Sequence, residues 1–311
     1  MAMTIYDISK KAGVSIATVS RVLNGSENVR PSTRKKVMDV IDKYDYTPNA
    51  FARGMGLHSL KTIGILCADS SDLFLAKAVY FLEQELQANG YESLLCCTGY
   101  NPDIKKNYLN LILSKKVDSI ILVGSHFIGF NEDENQYIKD VSTQVPIMLL
   151  NASFDHPNVY STLCDDYGTM FEAATEMIQS GITDILYLYD SKSYSGLKKL
   201  HGFCDAMKQY NIPGFEKLIH FYDGNIEHLN EVADFVARIA TKGTSFHGIM
   251  TSDDSLAIGS IKYAQKKGIR IPEELSVMGY NNSMLTNCCT PELTSVDNRL
   301  ETQTHQLVQT L

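Results

Sequence analysis

The segment from Gly13 to Gly25, GVSIATVSRVLNG, carries the most pointed chemistry in the chain. At helical spacing Val19, Val22 and Leu23 share one face and should pack inward. Ile16, Ala17, Ser20, Arg21 and Asn24 then point elsewhere. Ser15, Thr18 and Ser20 offer hydroxyls to phosphate oxygens, the contacts that set a protein's register on a duplex.

The elements that must hold this face are short. Thr4-Ile5-Tyr6-Asp7 has the Ser/Thr-x-x-acid form of a capping box. Ile5, Ile8 and Ala12 follow at helical spacing, and Gly13 ends that helix. Val14-Ser15 makes a tight turn, and Ser15 caps a second helix running to Leu23. Asn24-Gly25 is a stop signal. Ser32 is expected to open a third helix, in which Val37, Val40, Ile41 and Tyr44 recur at spacings of three and four. Pro48 forbids its continuation. Two helices joined by a glycine-containing turn, completed by a third, form a helix-turn-helix unit. Such a unit places its second helix in the major groove.

Charge supports a polyanion as its partner. Residues 1–60 carry nine Lys and Arg against five Asp and Glu, whereas the rest of the chain carries 19 against 31. A small basic head thus sits on an acidic body.

That body alternates short apolar runs with helical patterns. The expected strands are Thr62–Cys67, Ser93–Cys97, Ser119–Val123 and Val145–Leu150, then Ile185–Leu188, Leu218–Phe221, Gly248–Thr251 and Leu275–Met278. Helices are expected over Leu75–Asn89 and Ile104–Ser114. Alternation of this kind means parallel, doubly wound sheets, here two Rossmann-like halves. Ligands collect beyond the carboxyl ends of such strands. That rule nominates Asp69 to Phe74, Ser125, Asn151, Asp190, Asp223, Asp253 and Asn281.

Other classes fit less well. The 311 residues exceed one ordinary core, and 44% hydrophobic with 21% charged residues is globular composition. No apolar run reaches the roughly 18 residues of a membrane helix, and no secretion signal is read at the start. The seven cysteines include the adjacent pairs Cys96-Cys97 and Cys288-Cys289, which lack zinc or thioredoxin spacing. They read as free thiols of a reducing cytosol. No phosphate loop, HExxH or GxSxG motif occurs, and the eight histidines are scattered. Asp253-Asp254 reads as helix capping rather than as an acid pair. Gly54-Met55-Gly56 is no dinucleotide fingerprint, because it follows no strand. No enzyme, cofactor or metal is therefore expected.

Residues 4–24, TIYDISKKAGVSIATVSRVLN, strongly resemble the head of the LacI/GalR family of bacterial transcription regulators. The likeness continues through Arg30-Pro31-Ser32-Thr33-Arg34 and Tyr46 to Arg53. It returns at Thr251 to Gly259, at Ile271-Pro272, at Leu275 to Asn282 and at Pro291 to Val296. Within the family, the head is most similar to that of the catabolite-control regulators.

The resemblance implies a fold: an N-terminal all-α helix-turn-helix head plus an α/β body of two Rossmann-like subdomains, like periplasmic sugar-binding proteins. The expected divisions are 1–47 for the head and 48–61 for a hinge helix. One effector subdomain then takes 62–161 with 291–311, and the other takes 162–290. Three chain crossovers are implied. So are a homodimer on a pseudo-palindromic operator and a sugar-like effector held between the halves.

Residue roles follow from the same likeness. Ile16, Ala17 and Arg21 match base-reading positions. Arginine can donate twice to guanine, while Ile and Ala can touch thymine methyls. Met55 matches the hinge residue that wedges into the minor groove, and an apolar methionine suits that role. Gly54 and Gly56 each cost about 1 kcal/mol of helix propensity. Lys199 joins the effector set, with Phe74, Ser125, Asn151, Asp253 and Asn281. Asn151, Lys199, Asp253 and Asn281 replace the family's frequent Asp, Arg, Asn and Asp. Lysine lacks the planar fork that holds two hydroxyls. Met284 stands where catabolite-control regulators carry a protein-docking arginine. The expected function is therefore an effector-controlled repressor of carbohydrate-utilisation genes, with switching by a partner protein as the alternative.

Overall fold

A computed structural model of the chain describes residues 3–23, 25–46, 59–241 and 243–311. Asn24, Met55 and most of the expected hinge lie outside the described residues.

The head comprises α1 (Ile5–Ala12), α2 (Ile16–Leu23) and α3 (Pro31–Lys43). Thr4 and Asp7 close the capping box at α1 reciprocally. Gly13 ends that helix at φ 66°, in the left-handed region that glycine enters freely. Ser15 caps α2 by accepting from the Thr18 amide at 3.1 Å. The third helix starts at Pro31 rather than Ser32, since proline suits the first helical position. Ile8, Val19, Val22, Val29, Val37 and Ile41 form the shared core. Leu23, Val40 and Tyr46 are half-buried around it, and Tyr44 stays largely exposed.

The body holds two five-stranded sheets in which every pair is parallel. The first comprises β1 (Thr62–Cys67), β2 (Glu92–Cys97), β3 (Ser119–Val123), β4 (Ile147–Leu150) and β5 (Val159–Thr162), in the order β2-β1-β3-β4-β5. The second comprises β6 (Ile185–Tyr189), β7 (Ile219–Phe221), β8 (Gly248–Thr251), β9 (Ser276–Tyr280) and β10 (Thr294–Val296), in the order β10-β9-β8-β6-β7. Each sheet has an apolar cluster on both faces, which is why its central strands are uninterrupted apolar runs.

Two elements escape a reading by apolar runs. β5 and β10 are short edge strands with exposed or half-buried residues, so neither carries such a run. β10 also shifts an expected boundary. Thr294–Val296 pairs with β9 in the second sheet, so the chain crosses to the first half only at 297–299. The helix Leu300–Gln309 then packs on the helix Leu73–Ala88, sharing the core of the first half through Leu300, Leu307 and Val308. Among the described residues the chain crosses between the sheets at 163–165 and at 297–299.

Candidate functional site

The outer face of α2 is presented as its spacing predicts. Ser15, Ile16, Ala17 and Arg21 are exposed, while Thr18 and Ser20 are half-buried. Ile16 leaves 40% of its surface in solvent although it is apolar. The Ser15 and Thr18 hydroxyls lie 2.9 Å apart, which orients both beside the helix N-terminus. Behind this face, the Lys11 ammonium sits 4.4 Å from the Tyr44 ring centroid, clasping α1 to α3.

The second site lies between the two halves of the body. Ser125, Asn151, Asp190, Asp223, Asp253 and Asn281 lie one or two residues past their strands, whereas Phe74 lies in the first turn of the helix that follows β1. Residues from both halves line an outer cavity of about 680 Å³, among them Asp69, Asp72, Tyr100, Asp190, Phe221 and Asp223. It shares Asp72, His126, Asp190, Ser191 and Asp253 with an adjoining chamber of about 90 Å³. Phe74, Ser125, Asn151, Lys199, Asp253 and Asn281 all line that chamber.

Hydrogen bonds fix the inner residues. Asn281, at φ 100° immediately after β9, donates its amide to the Asp253 carboxylate at 2.8 Å. Asn298 in turn donates to the Asn281 carbonyl at 3.1 Å, tying the chamber to the crossing strand. Asp253 also accepts from the Ser255 amide at 2.7 Å, as cap of the helix Asp254–Lys267. Asp190 accepts from the Ser252 hydroxyl at 2.8 Å. Lys199 is committed on both sides. Its ammonium donates to the Ser252 carbonyl at 3.1 Å and lies 3.8 Å from the Tyr280 ring centroid. These two contacts hold the ammonium at the chamber wall.

Three residues that the strand-end rule missed complete the closure. The Ser125 hydroxyl donates to Ser193 at 2.8 Å, across the cleft. Ser191 bonds Ser193 at 2.9 Å and the His126 Nε2 at 3.2 Å. This chain of hydroxyls joins the halves directly. Ser191, Ser193 and His126 stand two to four residues past β6 and β3, so a wider window at each strand end would have found them.

The electrostatics are acidic. Burial pushes the Asp253 carboxyl up to about 7, and the charges of Asp190 and Asp72 add to this against the opposing Ser255 bonds. Burial likewise raises Asp72, with the Leu75 amide opposing it and Asp190 reinforcing it. Asp69 is lowered instead, because the Ser71 amide and hydroxyl both donate to it. Burial lowers His126, with the Lys105 ammonium in support. The Asn151 side-chain oxygen, in a residue only 8% exposed, has no hydrogen-bond partner. A wall of carboxylates plus one orphaned amide oxygen asks for a ligand rich in donors.

Asp254 belongs elsewhere. It receives the Ser283 amide and the Ser295 hydroxyl, both at 2.6 Å, and braces the loops around β10. Among the described residues no group of His, Cys, Asp and Glu is arranged to hold a metal ion. No described helix is long and apolar enough to cross a membrane.

Comparison with known proteins covers both parts of the chain. Residues 4–49 match the bacterial regulatory proteins of the lacI family, and residues 60–309 match the periplasmic binding proteins and sugar-binding domain of the LacI family. An HTH-type transcriptional regulator of Lachnoclostridium phytofermentans is 50% identical over 99% of this chain and 92% of its own length. Catabolite control protein A of Priestia megaterium is 32% identical over 95% of this chain and 87% of its own. The lac repressor dimer bound to operator and an anti-inducer shares the fold at TM-score 0.87 and 20% identity, covering 100% of this chain and 92% of that one. These relatives are DNA-binding regulators rather than enzymes. On these matches, over residues 4–49 and 60–309 and at 50% identity over 99% of its length, the chain belongs to the LacI family of effector-controlled transcription regulators.

Proposed function

We propose that this chain works in the cytoplasm as a homodimeric repressor of carbohydrate-utilisation genes. Ser15, Ile16, Ala17, Thr18, Ser20, Arg21 and Asn24 read each half of a pseudo-palindromic operator, and Met55 wedges into its centre. A sugar or sugar derivative in the cleft sets operator affinity. One observation carries the effector reading: Phe74, Ser125, Asn151, Lys199, Asp253 and Asn281 share a single chamber at the carboxyl ends of both sheets. The chamber's acceptors suit the hydroxyls of a polyol. Allostery then needs only that the ligand prefer one arrangement of the halves.

The test is operator binding by fluorescence anisotropy, with and without neutral sugars and sugar phosphates. Asn281→Ala should keep operator affinity within about threefold yet lose the effector response, at roughly 1–3 kcal/mol per lost polar partner. A variant that still responds at wild-type ligand concentrations would remove Asn281 from the site.

A second reading, switching by a phosphorylated carrier protein, is favoured by the 32% identity to a catabolite control protein. Against it, Met284 is 69% exposed where that type carries its docking arginine. Retention of such a carrier on immobilised chain would support the second reading; failure to retain it leaves the small-molecule mode.

A further inference from the structure

Two thiols meet at the rim of the first sheet. Cys67 ends β1, Cys97 ends β2, and the two are register partners across the parallel ladder. Their sulfurs are 3.7 Å apart. Cys67 is buried and Cys97 is exposed. Cys96 packs on the opposite face of the sheet, in a different apolar cluster from Cys67. The pairing is therefore specific to Cys97, although Cys96 is its neighbour in sequence.

Each cysteine is the root of a loop that enters the cleft. Asp69, Ser71 and Asp72 follow Cys67, Tyr100 follows Cys97, and all four line the outer cavity. The loops already lean on each other. The Thr98 amide donates to the Cys67 carbonyl at 2.9 Å, and the Gly99 amide donates to the Ala68 carbonyl at 2.8 Å.

We propose that Cys67 and Cys97 form a redox-sensitive pair, which a peroxide converts into an intrachain disulfide joining the roots of these two cleft loops. The geometry allows it. Neighbouring strands are about 4.8 Å apart, within the range of about 4.4–6.8 Å between Cα atoms that a disulfide tolerates. The sulfurs need only close from 3.7 Å to about 2.05 Å.

Exposure sets the order of events. Burial and the neighbouring Cys97 thiol push Cys67 up to about 12, so it remains a thiol until its partner has reacted. The solvent-facing Cys97 sulfur, as thiolate, attacks one peroxide oxygen. The O–O bond breaks, hydroxide leaves and takes a proton to become water, and Cys97 becomes a sulfenic acid. The Cys67 sulfur then attacks the Cys97 sulfur. The S–S bond forms, the S–O bond breaks, and the Cys67 proton leaves with the hydroxide as a second water. Two thiols lose two electrons and one peroxide gains them. A bridge that is exposed on one side and pulled across a ladder is the labile kind, reversible by dithiols.

The experiment uses the full, reduced chain treated with hydrogen peroxide. Remaining thiols are alkylated, the protein is digested with trypsin without reductant, and the fragments are read by mass spectrometry. Cys67 falls in residues 62–77, while Cys96 and Cys97 fall in 78–105. The expected product links these fragments with loss of two hydrogens, is localised to Cys97, and vanishes on adding dithiothreitol. Cys96→Ser should keep it, and Cys97→Ser, an exposed position, should lower it at least tenfold. Mixing isotopically heavy and light protein separates links within a chain from links between chains. A bridge through Cys96, a bridge only between chains, oxidation of Cys97 without a bridge, or thiols unchanged in excess peroxide would each overturn the proposal.

Discussion

Asp253 shows how far a buried carboxyl can be moved by its surroundings. Its ordinary value of 3.8 rises to about 7, because burial disfavours the charge and Asp190 and Asp72 repel it. A raised acid binds its proton more tightly in the folded than in the unfolded state. Stability from this group is therefore present at low pH and is lost as pH climbs from about 4 to about 7, with a slope of up to about 1.4 kcal/mol per pH unit. Asp253→Asn removes the titration, so the variant should gain on the wild type as pH rises across that window. Denaturant midpoints at pH 5 and pH 7.5 check this; an equal difference at both would show that Asp253 is not the titrating group. At the other end of the chain, Arg21 is exposed in the last turn of α2. Arg21→Ala should weaken operator binding by about 1–3 kcal/mol and leave binding to random duplex nearly intact. Equal losses on both would make Arg21 a phosphate contact only.

Elements in this protein are held by close approach as much as by apolar area. The helices Asp166–Gln179 and Tyr194–Gln209 pack against each other beside the second sheet. Gly202 permits their contact: a Cβ there would stand 2.3 Å from the Tyr167 carbonyl oxygen and 3.1 Å from the Phe171 amide nitrogen. Both are backbone atoms, which cannot swing aside. Gly202→Ala should thus force the helices apart and cost about 1–3 kcal/mol, as overpacking does. Thermal unfolding would register it, whereas an unshifted midpoint would mean that the helix pair slides without strain. The second helix also carries Lys199 and is capped by Ser193, so this packing sets where one wall of the cleft stands.

At the scale of the whole molecule, hydroxyls and amides link the two halves, and among the described residues each apolar cluster of the body stays within one half. Ser125 reaches Ser193 directly across the cleft, and Asn298 links the second crossing to Asn281 in the chamber. Such contacts are cheap to break, on the order of 0.5–1.5 kcal/mol each. That is the range of energies a ligand must shift to change the balance between two arrangements. Ser125→Ala removes the bridge while leaving Ser193 to cap its own helix. The effector concentration for half-response should move by about two- to tenfold, with operator affinity in the absence of ligand altered by a similar factor. An unchanged response curve would show that the bridge does not report the state of the halves.

Local and repetitive features were legible in the sequence. Thr4, Asp7, Gly13 and Ser15 write their own caps and turns, because those hydrogen bonds span only a few residues. The central strands announce themselves because a parallel sheet covered on both faces must be apolar throughout. The clustering of candidate residues followed from the same logic: strand ends converge wherever parallel strands lie side by side, and Asn151, Asp253 and Asn281 sit at three of them and line one cavity. What tertiary structure decided was anything set by a partner distant in the chain. Thr294–Val296 is too short and too exposed to read as a strand, and only the vacant edge of β9 makes it one. The position of the Lys199 ammonium, held against Ser252 and the Tyr280 ring, likewise depends on partners far away in sequence. His126 and Cys67 carry no pattern of their own. Their roles come from Ser191 across the cleft and from Cys97 on the next strand, and a one-dimensional spacing cannot encode a neighbour that folding alone supplies.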